Sequence, residues 1–200
     1  MNRTETIAKY AAMMMELPYS VGEAPDIYLK HDGRIYCTAD GADFRNITER
    51  DVLDITSDSS LEKDVLKESR DINALIVCAT PYLSICMESG REIPAVLDDM
   101  AQIVGQKVRI VPYRKRPVAS ALGSASAVMV QGKYALCAGR NLYEAYTVMT
   151  VLEKSAEVIL KAMVIGGARP LGAADCRIQR MFYRRKYSKA EKEHKDDTEG

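Results

Sequence analysis

Few side chains in this chain are suited to chemistry. The two histidines, His31 and His194, lie in a polar turn and in a charged tail, so three imidazoles cannot converge on one zinc ion within one chain. The five cysteines (37, 78, 86, 137 and 176) are odd in number and show no C-x-x-C spacing. They read as buried thiols of a protein kept in a reducing cytoplasm. Lys133 is a different kind of candidate. In a dry site its amine could lose its charge and condense with a carbonyl compound, whereas at a hairpin tip it is a solvated turn residue. The run Arg177, Arg180, Arg184, Arg185, Lys186 and Lys189, interleaved with Phe182, Tyr183 and Tyr187, could touch RNA, acidic lipid or a partner protein. The default is a surface helix that packs Met181 and Phe182 and keeps its charges wet.

Composition narrows these options. The chain has 200 residues, 47% hydrophobic and 28% charged, with 28 Lys+Arg balancing 28 Asp+Glu. That supports one well-filled domain and argues against a dedicated nucleic-acid binder. No apolar run approaches the roughly 20 residues of a membrane helix, and the first residues lack a signal peptide's basic start and cleavage site.

Local patterns supply the scaffold. Ile7, Ala11, Met14 and Leu17 recur at helical spacing until Pro18. Segments 26–30 and 34–38 form a hairpin around a three-residue loop, His31-Asp32-Gly33. Ser59 is placed as the N-cap of a short helix, with Glu62 closing a capping box. The apolar run 74–78 is a strand buried on both faces. Pro94 opens a helix that runs through Val104 to a stop at Gly105, and 108–113 is a strand. Segments 127–131 and 134–138 form a hairpin turned by Gly132-Lys133 in a type II′ turn. Asn141 caps a long helix with Glu144 at its third position and a stripe from Leu142 to Met163, which Gly166-Gly167 and Pro170 end. The order predicts an α/β fold, an α+β sandwich in one domain over 1–176. Residues 177–200 form a basic helix and a charged, disordered tail.

The segments NALIVCATPYLSICMESGREIPAV (73–96), VRIVPY (108–113) and AVMVQGKYALCAGRNLYEAYTVMTVLEKSAEVI (127–159) resemble the class II aldolase/adducin family. This family includes fuculose-phosphate and rhamnulose-phosphate aldolases and ribulose-phosphate 4-epimerases. An earlier stretch, 26–55, is similar to it as well, so the likeness runs in order over 5–165. The resemblance implies a central, mostly antiparallel sheet flanked by helices, and a ring-shaped homotetramer with sites between subunits. It also implies three histidines holding zinc, which stabilises an enediolate while a carboxylate shuttles the proton.

At the functional positions this chain departs from the family. Matching Pro81-Tyr82 to its PY motif puts Val77 and Ala79 on two metal-ligand positions, and the third falls on Lys133. None of these side chains binds a dication, so zinc is expected to be absent and no other cofactor is implied. Sliding by one residue offers Cys78 and Thr80, and Cys78 with Cys137 could make a soft site or simply be core. The proton-shuttling carboxylate of the family follows two serines. Here Ser59-Ser60 precede Leu61 and Glu62, so it is either lost or moved by one place. The phosphate pocket is matched in part by Thr38, Gly41, Ser59 and Ser60. Asp26 and Asp40, however, stand where an Asn and a small polar residue are expected, and two carboxylates oppose a phosphate dianion. Tyr113 matches a tyrosine that crosses the subunit boundary in some aldolases, and as a residue after a strand it could equally be packing.

Two functions remain. The first is an aldolase-like protein that has lost the metal site and serves as a binding, regulatory or oligomeric interaction module, with a small carbohydrate as a possible ligand and no membrane or nucleic-acid partner. The second is a divergent sugar-phosphate lyase that uses Lys133, Glu62 or Tyr113 without the zinc site.

Overall fold

The computed structural model describes the backbone of residues 2–196 and the side chains of residues 2–185. Its centre is the strand β4 (Ala74–Cys78), whose residues are all buried. Alternation sends Ile76 and Cys78 to one apolar layer and Leu75 and Val77 to the other, as expected of a strand covered on both faces. Around it stand β1 (Asp26–His31), β2 (Arg34–Thr38), β3 (Val52–Asp54), β7 (Ile110–Val111), β8 (Ala127–Val130) and β9 (Tyr134–Gly139). The order across the sheet is β3-β2-β1-β4-β9-β8-β7. Every pairing is antiparallel except β7 with β8. A separate two-stranded ladder joins β5 (Ile93–Pro94) to β6 (Lys107–Val108). The expected α/β class, with a mostly antiparallel central sheet between helices, is therefore present.

Helices α1 (Arg3–Met15), α3 (Pro81–Glu88) and α5 (Leu142–Met163) cover one face. Helices α2 (Leu61–Glu68) and α4 (Lys115–Ser124) cover the other. Their ends are set locally. Asn2 closes a capping box with Glu5 on α1, and the Asn141 side chain accepts from the Glu144 N–H at the start of α5. Gly139, between β9 and α5, admits no other residue: a β-carbon there would lie 2.5 Å from the Ala145 nitrogen.

Several local expectations need correction. The first hairpin turns on two residues, Asp32 (φ 49°) and Gly33 (φ 75°), because His31 still pairs with Arg34. Two consecutive positive φ values are the type I′ signature. The second hairpin spans three residues. The Lys133 N–H bonds the Val130 carbonyl at 3.0 Å, with Gly132 at φ 66° in the third position, a type II arrangement. Pro94 belongs to β5 rather than to a helix. A π-helical turn, Met100–Val104, follows and stops at Gly105 (φ 129°). The segment 108–113 splits into β6 and β7, which pair with different partners.

Helix α6 (Ala173–Asp196) starts before the expected boundary and continues through 193–196; residues 197–200 lie outside the described residues. Its inward face carries Cys176, with Arg180 one helical turn on. Met181 and Phe182, expected to pack, are instead exposed, because the helical period turns them away from that face. No helix among the described residues is long and apolar enough to cross a membrane.

Candidate active-site cleft

The start of α2 decides where Glu62 points, the only buried carboxylate on this side of the sheet among the described residues. Ser60, not Ser59, is the N-cap, its Oγ accepting from the Lys63 N–H at 3.1 Å. Ser59 is exposed. Leu61 therefore packs into the α2 core layer. Glu62, 4% exposed, faces the sheet, where its Oε1 accepts a short hydrogen bond from the Tyr134 hydroxyl. The capping box expected of Glu62 does not form, and its carboxylate meets Tyr134 instead. Among the described residues the other oxygen of Glu62 has no protein partner, yet it is not among the fully buried polar atoms lacking one. A carboxylate oxygen with capacity left can accept from a bound molecule.

The β8–β9 turn places Lys133 at its tip and Tyr134 as the first residue of β9. The Lys133 Nζ lies 4.6 Å from the centre of the Tyr113 ring, and the Tyr113 and Tyr134 rings meet edge-on at 6.5 Å. Amine, two phenols and carboxylate thus share one mouth. Val77, the second residue in from the end of β4, pairs with Asp26 on one side and Leu136 on the other, so Asp26 stands on the same face of the sheet.

Negative charge dominates this face. Burial raises the Asp26 carboxyl above the usual range, helped by Asp40 and Glu62 and opposed by a 3.3 Å hydrogen bond from the Thr38 hydroxyl. Burial raises the Tyr28 phenol, with Asp26 and Glu62 adding to it. The Tyr134 phenol is raised by burial and then by Glu62. Burial, Asp26 and Asp40 push the Cys37 thiol to about 11. Phenols held protonated donate and carboxylates accept, a pattern that suits hydroxyl groups better than a phosphate dianion.

The phosphate-pocket candidates are largely engaged elsewhere. The Thr38 Oγ1 accepts from the Ile27 N–H at 3.1 Å and donates to Asp26. Ser60 caps α2, and Gly41 (φ 74°) is an exposed turn.

The metal-ligand positions do not fit zinc. Val77 is 3% exposed within an apolar layer. The Val21 carbonyl accepts from the Ala79 N–H at 2.8 Å, and the chain at Gly22 runs so close that a β-carbon there would lie 3.1 Å from the Ala79 Cβ. An imidazole at 79 would have to displace that segment. Cys78 and Cys137 belong to the opposite face with α5, where they are buried and hydrogen-bonded to each other. The shifted alignment flips both ligands away from Glu62, as any one-residue slip in a strand must. Thr80 donates to Glu153. His31 pairs with its neighbour Asp32 at 3.3 Å, and the His194 side chain lies outside the described side chains. Among the described residues no group of three or more His, Cys, Asp or Glu is placed to hold a metal.

A strand end, a capped helix and a hairpin tip thus bring Glu62, Tyr134, Tyr113 and Lys133 together, among the positions the sequence resemblance assigns to the aldolase site. Residues 5–160 match the model of the class II aldolase and adducin N-terminal domain. The chain belongs to that family. This class II aldolase-family protein is 22% identical over 173 residues to the L-fuculose phosphate aldolase of Methanocaldococcus jannaschii, covering 78% of this chain and 95% of that one. Among solved structures, an L-fuculose 1-phosphate aldolase superposes with a TM-score of 0.82 at 19% identity, covering 90% of this chain and 95% of the other. The L-fuculose-1-phosphate aldolase of Thermus thermophilus gives 0.72 at 17% identity, over 84% and 98%. At these identities the structural likeness speaks for the fold alone.

Two participants escaped the sequence reading, Tyr134 and Tyr28. Tyr134 follows Lys133 directly, but its bond to Glu62 spans 72 residues, and nothing local announces it.

Proposed function

We propose that this family member binds a small polyhydroxylated, carbohydrate-like ligand in the Glu62–Tyr134 cleft without zinc. It would serve as a non-catalytic binding or regulatory module, working as a homo-oligomer in the cytoplasm. The observation that carries this reading is a hydrogen-bonding pair, Glu62 with Tyr134, and it is supported by Val77 and Ala79 standing where the resemblance assigns metal ligands. The acidic field of Asp26, Asp40 and Glu62 favours neutral hydroxyls over a phosphate.

The test combines zinc analysis of the purified protein with a cleavage assay on L-fuculose 1-phosphate and calorimetric titration with ketoses and sugar alcohols. Little zinc, no chelator-sensitive cleavage, and sugar binding weakened about tenfold or more by Glu62→Gln support the reading. Stoichiometric zinc with aldol cleavage abolished by chelator overturns it.

One observation favours a second reading, a lyase working through Lys133: its amine stands 4.6 Å from the Tyr113 ring centre, at the same mouth as the Tyr134–Glu62 pair. There the amine would condense with a ketose carbonyl and release water. Borohydride trapping of a ketose on Lys133 would select this reading over the first.

A further inference from the structure

At the other end of the six-residue strand β9, about 20 Å from the first cleft, a cavity of about 400 Å³ lies between α6, α2, α4 and the start of α5. Its charged lining falls into groups. Lys115 pairs with Glu68 at 2.5 Å and with Asp64 at 3.5 Å. Arg140 pairs with Glu144 at 2.5 Å, and these bonds hold the Glu144 carboxyl below its usual range despite its burial. Arg180, Arg184 and Asp71 complete the charged part of the wall.

Arg180 is the unusual one. Its Nη1 donates to the Ile103 carbonyl and its Nη2 to the Ser126 hydroxyl, both at 3.0 Å. Both acceptors are neutral, and no carboxylate lies within ion-pair distance among the described residues. Burial, and then the neighbouring Arg184, lower its guanidinium to about 10, so it stays charged at neutral pH. A guanidinium has more N–H donors than these two bonds use. Arg180 lines the cavity, and its two hydrogen bonds leave N–H donors for a ligand there. The Glu144 carboxylate in the same wall offsets part of this charge without bonding to it, and a half-hidden cation whose direct acceptors are neutral gains from a bonded anion.

We propose that this cavity binds a small molecule carrying a phosphate group, with Arg180 gripping the phosphate, the neighbouring Arg184 adding positive charge, and Val65, Leu122 and Val148 receiving an apolar body. Asp71 opposes the anion and sets its approach to the α6 side. The site is independent of the ligand assigned to the Glu62 cleft. It makes the docking of α6 sensitive to ligand, because Arg180, with Gln179 and the buried Cys176, also ties α6 to the body of the domain.

Calorimetric titration of the full chain with phenyl phosphate tests this, with inorganic phosphate and phenol as separate arms. Phenyl phosphate is expected to bind, and each fragment alone about tenfold or more weaker. Arg180→Met should weaken phenyl phosphate about tenfold or more. Since that change also loosens α6, Ala119→Phe provides a second probe. Ala119 is an exposed residue of α4 on the cavity wall, and its enlargement fills the cavity while removing no hydrogen bond. It should abolish binding and leave the melting temperature near that of the parent. Lys133→Met, at the far end of the sheet, should leave affinity unchanged. Absent binding, wild-type affinity in Ala119→Phe, inorganic phosphate as tight as phenyl phosphate, or loss confined to Lys133→Met would each overturn the proposal.

Discussion

Two glutamates in this protein are almost hidden from water, Glu153 on α5 (2% exposed) and Glu62 on α2 (4% exposed), and they do opposite things. Glu153 lies at the N-terminus of α3, where Pro81 offers no N–H. Its carboxylate accepts from the Tyr82 N–H at 2.9 Å, the Leu83 N–H at 3.1 Å and the Thr80 hydroxyl at 2.5 Å. Thr80 occupies the N-cap position, but Glu153 performs the capping from another helix, with the helix dipole in its favour. Every strong demand of that carboxylate is met by the protein. Glu62 is met by one phenol, and among the described residues its other oxygen has no protein partner. Burial alone does not distinguish a working acid from a structural one. The number of bonds left unmade does.

Substitutions can break this contrast, and the largest effect belongs to the saturated member. Glu153→Ala leaves two N–H groups and a hydroxyl buried without an acceptor. It is expected to cost about 3 kcal/mol or more in denaturant unfolding, with Glu153→Gln recovering part of it. A cost below about 1 kcal/mol would remove the distinction. Tyr134→Phe and Glu62→Gln should each change stability by only about 1 kcal/mol, while weakening sugar binding. In a double-mutant cycle on binding the two should be strongly non-additive, because they remove one shared bond; additive losses would separate Tyr134 from Glu62.

The smallest effect tests the field around Glu62. The Asp26 carboxyl is raised by burial and by Asp40 and Glu62. A raised folded-state pKa means no penalty below the unfolded value near 4 and lost stability as pH rises through the folded one. Asp26→Asn should therefore raise the melting temperature at neutral pH by under about 2 °C, allowing for the screening of a partly exposed group. The gain should vanish in acid; a gain that persists there would point to packing.

Much of the fold was legible because its signals are short. The caps Asn2 and Asn141, the stripe of α5 and the unbroken run 74–78 each lie within a few residues, the range over which capping and periodicity act. That the positions the resemblance assigns to metal ligands, 77 and 79, carry valine and alanine was equally plain, and no conformation makes either a donor to zinc. Where two local rules competed, the sequence left the outcome open. Ser59 and Ser60 are both good caps, and only the fit of Leu61 into the α2 layer selected Ser60 and swung Glu62 toward the sheet. The 108–113 run looked like one strand, but its halves found different partners in space.

What tertiary structure alone decided is which distant groups meet: Glu62 with Tyr134, Glu153 with the start of α3, and Arg180 with Ile103 and Ser126. These contacts join residues more than fifty positions apart. A sequence read locally carries the propensity to form each element and the chemistry each side chain can offer. Which face of one element lies against another is settled when apolar surface is buried on both sides of the sheet at once, and that choice determined which charges were left facing open space.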